Sequence, residues 1–187
     1  MRVAVRSQLS PEEYLAWERE QVEKHEYFEG EVYAMPSSSA RHNCLTARVG
    51  FTLGLALGDR CLVFGSKQRV RTSERRYVYP DVTGVCGAPV FEHDDVILNP
   101  TLVVEVLSGS TERYDRGLKW DGYQSVPSLT DYVLVSQDRP HIEHFGRAFD
   151  GRWVYTAADA GSRITLTGGA VLDVDAIFAG MLELPSS

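Results

Sequence analysis

The run Leu102-Val103-Val104-Glu105-Val106-Leu107-Ser108 places a carboxylate inside an apolar, β-branched segment. It reads as a buried strand on which Leu102, Val104 and Val106 share one face and Val103, Glu105 and Leu107 the other. Glu105 therefore points among apolar neighbours. An ionised carboxylate taken out of water costs on the order of several kcal/mol unless it is paired or bound to a cation. A second acid enters an apolar strand at Pro80-Asp81-Val82. Two acids on two core strands can supply hard oxygen ligands to a Mg²⁺ or Mn²⁺ ion. Each also has a plainer use, Asp81 as a turn or bulge acid beside proline and Glu105 as half of a buried ion pair.

Further groups could join them. Asp115, Lys119 and Tyr123 follow at four-residue spacing and share one helix face. Lys119 either forms a solvated pair with Asp115 or leans over the acids, where it would offset developing charge or orient a water. Tyr123 would hydrogen-bond nearby. Phosphodiester hydrolysis needs such parts: a cation that polarises a phosphoryl oxygen and lowers the pKa of water, and a further positive group. Glu26 points with Phe28, whereas Glu29 and Glu31 read as surface residues, so Glu26 is the candidate for a supporting acid. His42 stands at a helix start, as a cap or as a base or ligand. Lys67, Arg69 and Arg71 alternate on one strand face, either as a solvated edge or as a strip that contacts phosphates. The remaining histidines lack ligand spacing.

The elements that must position these residues follow from periodicity. Ser10-Pro11-Glu12-Glu13 combines an N-cap, a first-turn proline and a capping box, which predicts a helix over 11–24. A hairpin turning at Glu29-Gly30 follows, and then a helix over 40–57 with Leu45, Val49, Leu53 and Leu57 on one face. Strands are expected over 61–70, 77–85, 101–107 and 130–136, with an acid-rich loop over 88–100 and a helix over 112–125. A hairpin through Asp150-Gly151, a short strand at 163–167 and a short helix at 174–178 complete the chain. Helices between strands mean a mixed α/β class.

With 187 residues and 43% hydrophobic content, one domain with a sizeable core is expected. Cys44, Cys61 and Cys86 lack CxxC spacing, so no zinc or redox motif is indicated, and free thiols suit a reducing cytoplasm. Residues 1–8 lack the apolar centre of a signal peptide. The net charge of −7 argues against tight nonspecific nucleic-acid binding but leaves room for a local basic surface.

Pro80-Asp81, Glu105 in its strand and Lys119 together resemble the PD-(D/E)xK nuclease superfamily with its lysine moved onto the next helix. The wider pattern resembles the bacterial Uma-two family of restriction-endonuclease-like proteins. It comprises Glu26-Tyr27-Phe28-Glu29-Gly30-Glu31, Met35-Pro36-Ser37, His42, Pro80-Asp81-Val82, residues 102–108, Ser110-Thr111, Asp115, Lys119 and Tyr123. It spans about residues 9–180. The resemblance implies a central mixed sheet flanked by helices and a Mg²⁺ or Mn²⁺ ion held by Asp81 and Glu105. The Val106 main-chain carbonyl would add an oxygen, and DNA is the implied substrate. The superfamily's usual lysine position is Leu107 here, so Lys119 must replace it. Cutting both strands would use a homodimer. The alternatives are a nuclease-fold protein that serves only as a binding or dimerisation module, and a structural domain whose acids pair with Lys119 and arginines.

Overall fold

The computed structural model describes residues 4–109 and 111–186. Ser110 and the first three residues, which fall in stretches used above, lie outside the described residues. The chain runs β1 (Ala4–Arg6), α1 (Pro11–Glu18), β2 (His25–Phe28), β3 (Glu31–Ala34), α2 (Ala40–Leu57), β4 (Cys61–Gly65), β5 (Arg69–Ser73), β6 (Arg76–Val78) and β7 (Val82–Cys86). It continues with β8 (Phe91–Glu92), β9 (Val96–Ile97), β10 (Leu102–Leu107), α3 (Glu112–Tyr114), a π-helical turn (Asp115–Lys119) and α4 (Trp120–Gln124). The last elements are β11 (Asp131–Ser136), β12 (His141–Arg147), β13 (Trp153–Asp159), β14 (Arg163–Thr165), β15 (Val171–Asp173) and α5 (Val174–Phe178).

Two large mixed sheets result. One has the order β13-β12-β11-β10-β7-β4, with β10 and β11 parallel. The other has the order β1-β3-β2-β6-β5-β9-β8, with β5 and β9 parallel. The expected strands over 61–70 and 77–85 are each broken between these sheets. The first breaks at the turn after Gly65. The second breaks at Pro80, which has no N–H to continue a ladder. The chain thus changes sheets at Pro80-Asp81, and Asp81 stands where they part. α1 ends at Glu18, short of the predicted 24, and the Glu18 carboxylate accepts the His25 N–H at 2.9 Å as the chain enters β2. The 88–100 segment carries the β8–β9 ribbon, and β14 pairs with the unpredicted β15.

The two faces of β10 serve two cores. Leu102, Val104 and Val106 pack with Leu45, Val49, Leu53 and Leu57 of α2. Val103 and Leu107 pack with Val70 and Val78 of the other sheet and with Tyr123 and Tyr132. Each fully buried aliphatic or aromatic side chain here contributes roughly 1.5–3 kcal/mol. Glu105 projects into this second core, which joins the two sheets.

The expectation of free thiols is corrected for two of the three cysteines. Cys61 and Cys86 face each other in the β4–β7 register and are disulfide-bonded, leaving Cys44 free. The argument from free thiols to a reducing compartment therefore falls. Among the described residues, no helix is long and apolar enough to cross a membrane.

Gly84 pairs with Leu102 where the two acid-bearing strands adjoin, and a Cβ there would lie 3.1 Å from the Leu102 Cβ. Gly84→Val is expected to force β7 off β10 and destabilise the protein by about 1–3 kcal/mol, read as a lower urea midpoint. An unchanged midpoint would show that the close approach of these strands is not needed.

Candidate active site

β7 pairs with β10 only as far as Val82 opposite Val104, so the end of β10 is open on that side. Asp81 fills the gap. Its Oδ2 accepts the Val106 N–H at 2.7 Å, and its Oδ1 lies 3.0 Å from His42 Nε2. His42 is placed by the start of α2, where its N–H donates to the N-cap Ser39 Oγ at 3.1 Å. The N-cap serine and the proline-serine stretch before it therefore decide where this imidazole sits.

Glu105, one residue before Val106, is 2% exposed. Its Oε1 accepts from Lys119 Nζ at 3.0 Å and from Tyr123 Oη at 2.8 Å. Among the described residues, no hydrogen bond reaches its Oε2. Burial pushes the Glu105 carboxyl well above the ordinary range, against the pull of Lys119, and the charges of Asp115, Asp81 and Glu26 push the same way. Burial likewise raises the Tyr123 phenol, which stays a proton donor to Glu105.

Lys119 reaches these acids because the helix is wound wider from Asp115 to Lys119, a π turn of the kind often found at functional sites. Of the two readings of Lys119, the solvated pair with Asp115 does not hold, since both residues are buried. Lys119 Nζ lies 3.0 Å from Glu105 Oε1, 3.2 Å from Glu26 Oε1 and 3.4 Å from Asp115 Oδ1. Burial alone would strip its proton; Glu105, Glu26 and Asp115 outweigh that and hold the ammonium well above its ordinary pKa. Glu26 is also buried, and the Tyr79 N–H donates to its Oε1 at 3.3 Å. Burial raises the Asp115 carboxyl too.

Glu26, His42, Asp81, Glu105, Asp115 and Lys119 line one cleft of about 810 Å³, walled also by residues 35–39 and by Ser108 and Gly109. Among the described lining residues, Glu26, Asp81, Glu105, Asp115 and Asp138 stand with two ammonium groups, Lys24 and Lys119, and the Arg41 guanidinium lies 4.0 Å from Asp138. Among the described residues, no group of three or more His, Cys, Asp or Glu side chains is placed to hold a metal ion. The donor set still fits a hard cation, since Mg²⁺ characteristically takes one or two carboxylates and completes its shell with water and phosphate oxygens. The uncommitted Glu105 Oε2 and the surplus of negative charge supply the donor and the electrostatic demand.

The structure brings Asp81, Glu105, Val106, Lys119, Tyr123, Glu26 and His42 together. It does not bring Lys67, Arg69 and Arg71 to them as a basic strip. Lys67 lies exposed in the β4–β5 turn. Arg69 is buried, donating to Tyr79 Oη at 2.9 Å with Asp95 3.6 Å away, and Arg71 pairs with Glu92 at 2.9 Å. The β8–β9 ribbon pairs with β5 and carries or abuts those carboxylates, which is why the alternation yields no free face. The predicted first helix extends through Lys24, whereas α1 ends at Glu18 and leaves Lys24 in extended chain before β2. Read as an extension of β2, the alternation would have set it on the face of Glu26.

A mixed sheet that draws two acids and a lysine to one cleft defines a restriction-endonuclease-like α/β fold. The profile of the Uma2 family, described as "Putative restriction endonuclease", matches residues 11–185, and the chain belongs to that family. It is 40% identical over 177 residues to the uncharacterized protein slr1290 of Synechocystis sp., covering 92% of this chain and 93% of that one. It is 35% identical over 160 residues to the uncharacterized protein sll1609 of the same organism, covering 83% and 90%. The fold is similar to the crystal structure of a putative nuclease belonging to DUF820 from Anabaena variabilis. The TM-score is 0.73 at 14% identity, over 93% of this chain and 99% of that chain.

An acid whose pKa is raised by folding favours the folded state below its unfolded value, near 4.5 for glutamate, and loses that contribution as pH rises through the raised value. Between acid and neutral pH the thermal stability of the metal-free wild type should therefore fall relative to that of Glu105→Gln, while the lowered carboxyls of Asp131, Glu143 and Asp95 add an opposing slope common to both proteins. Equal slopes in the two proteins would show that Glu105 is not strained by its charge. Lys119→Met should lower stability by about 3–5 kcal/mol in urea titrations, because it leaves buried acids without their cation.

Proposed function

We propose that the protein is a metal-dependent endonuclease that hydrolyses phosphodiester bonds of DNA in this cleft, with Mg²⁺ or Mn²⁺ as the ion. The observation that carries the reading is the meeting of Asp81, just before β7, and Glu105, on the adjacent β10, at one acid-rich cleft with the Lys119 ammonium seated on Glu105. Asp81, the Oε2 of Glu105 and the Val106 carbonyl would hold the ion. An extended residue turns its N–H and C=O to the same neighbour, and the Val106 N–H turns to Asp81. The bound ion supplies polarisation of a phosphoryl oxygen and a lower pKa for the attacking water.

The chain's own groups prepare that chemistry. Lys119 and Tyr123 hold Oε1 of Glu105, which leaves Oε2 for the cleft. His42 and the Val106 N–H fix both oxygens of Asp81. Glu26 shares the Lys119 ammonium and so keeps it from swinging away. The surplus of carboxylates would repel a phosphodiester, so cation binding must precede or accompany the substrate. Two copies would cut the two strands of a duplex. The exposed Phe51 and Leu55 of α2 and Leu62 of the edge strand β4 offer apolar surface for such a pairing.

Supercoiled plasmid incubated with wild type should be cut in Mg²⁺ or Mn²⁺ and stay intact in EDTA. Glu105→Gln and Asp81→Asn should each lose roughly a hundredfold or more, the scale seen when a charge-stabilising group is removed. Cleavage that persists undiminished in both variants would overturn the assignment.

A further inference from the structure

Lys119 is enclosed by three carboxylates. Its Nζ donates to Glu105 Oε1 at 3.0 Å, with oxygens of Glu26 and Asp115 at 3.2 and 3.4 Å. The cleft holds a second ammonium in a different condition. Lys24 stands immediately before β2, and the β2–β3 ladder extends to it through the Met35 N–H, which donates to the Lys24 carbonyl at 3.0 Å. Alternation then sets its side chain on the face of Glu26, and both line the cleft. Lys24 Nζ donates to the Ser66 carbonyl at 3.0 Å and lies 5.7 Å from the Tyr79 ring. Among the described residues, no carboxylate is within ion-pair distance of it. The acids of the cleft therefore act on Lys24 without an ion pair, and among the described residues the Ser66 carbonyl is the one oxygen that accepts from its ammonium.

That arrangement suits an anion placed between the lysine and the acid-bound cation. A phosphate there would meet positive charge on both sides, and the ammonium is partly desolvated, which strengthens such a contact. The competing account is mechanical: Lys24 would do no more than staple the β4–β5 turn to β2 through Ser66. The α2 N-terminus does not offer the same service, because Ser39 already accepts the His42 and Asn43 N–H groups and the Pro185 carbonyl accepts that of Arg41.

We infer that Lys24, rather than Lys119, is the cleft cation that contacts a phosphate of the bound nucleic acid, an inference that rests on the nuclease reading above. Lys119 is then a positioning residue for Glu105 and Glu26, and Lys24 touches substrate.

The test compares wild type, Lys24→Met and Lys24→Arg. Binding of a labelled DNA duplex is followed by anisotropy in Ca²⁺ across a salt series. Cleavage kinetics are measured in Mg²⁺, and Mg²⁺ affinity without DNA by calorimetry. Lys24→Met is expected to bind about tenfold more weakly and to lower the log–log salt slope by about 0.9, the value for one lost phosphate contact. Its KM should rise while its Mg²⁺ affinity holds, and Lys24→Arg should keep the slope. A Lys24→Met protein with the wild-type slope and KM, whether or not it melts earlier, would overturn the inference and leave the nuclease reading intact. A wild type that neither binds nor cuts DNA would overturn both.

Discussion

The site depends on one buried ammonium. Lys119 Nζ lies within 3.4 Å of carboxylate oxygens from β2, from β10 and from its own helical turn. Each of these acids would be costly to bury alone, and the lysine would be costly to bury without them. Together they bind the seven-stranded sheet, the six-stranded sheet and the α3–α4 segment at one point. The π turn is the local expense of this arrangement, since a wider winding than an α-helix is what brings Asp115 and Lys119 inward.

Around that charge the backbone does the aiming. Pro80 ends one ladder, and Asp81 reaches over to the open end of β10, where the Val106 N–H has no strand partner. A buried N–H that would otherwise be orphaned thus fixes the acid. Gly84 lets β7 lie close to β10 and so sets the spacing between the two acids' strands. His42 arrives from the first turn of a long helix whose apolar stripe is anchored in the core, which gives its imidazole little freedom. The result is a set of carboxylate oxygens each fixed by backbone or side-chain partners.

A second polar network supports the first from below. Tyr79 donates to Glu18 at 2.9 Å, receives the Arg69 Nε–H at 2.9 Å and uses its own N–H to hold Glu26. Burial pushes this phenol up to the point where it remains a donor throughout the physiological range. Arg69 therefore serves the framework under the site, though its spacing with Lys67 and Arg71 suggested a surface strip.

The sequence by itself determined that Glu105 is an acid in an apolar strand and Asp81 an acid beside one, that Lys119 and Tyr123 share a helix face, and that α2 spans residues 40–57. Those are local facts, carried by periodicity, caps and the cost of burying charge. It could not say that Lys119 lies within reach of Glu26, which precedes it by more than ninety residues. Nor could it say that the strands over 61–70 and 77–85 divide between sheets, that Cys61 faces Cys86, or that Arg69 is enclosed. Alternation tells which residues share a face and leaves open what lies opposite that face. Only the tertiary structure decides that, because strand partners come from distant parts of the chain and a charge's fate is set by the partner it meets.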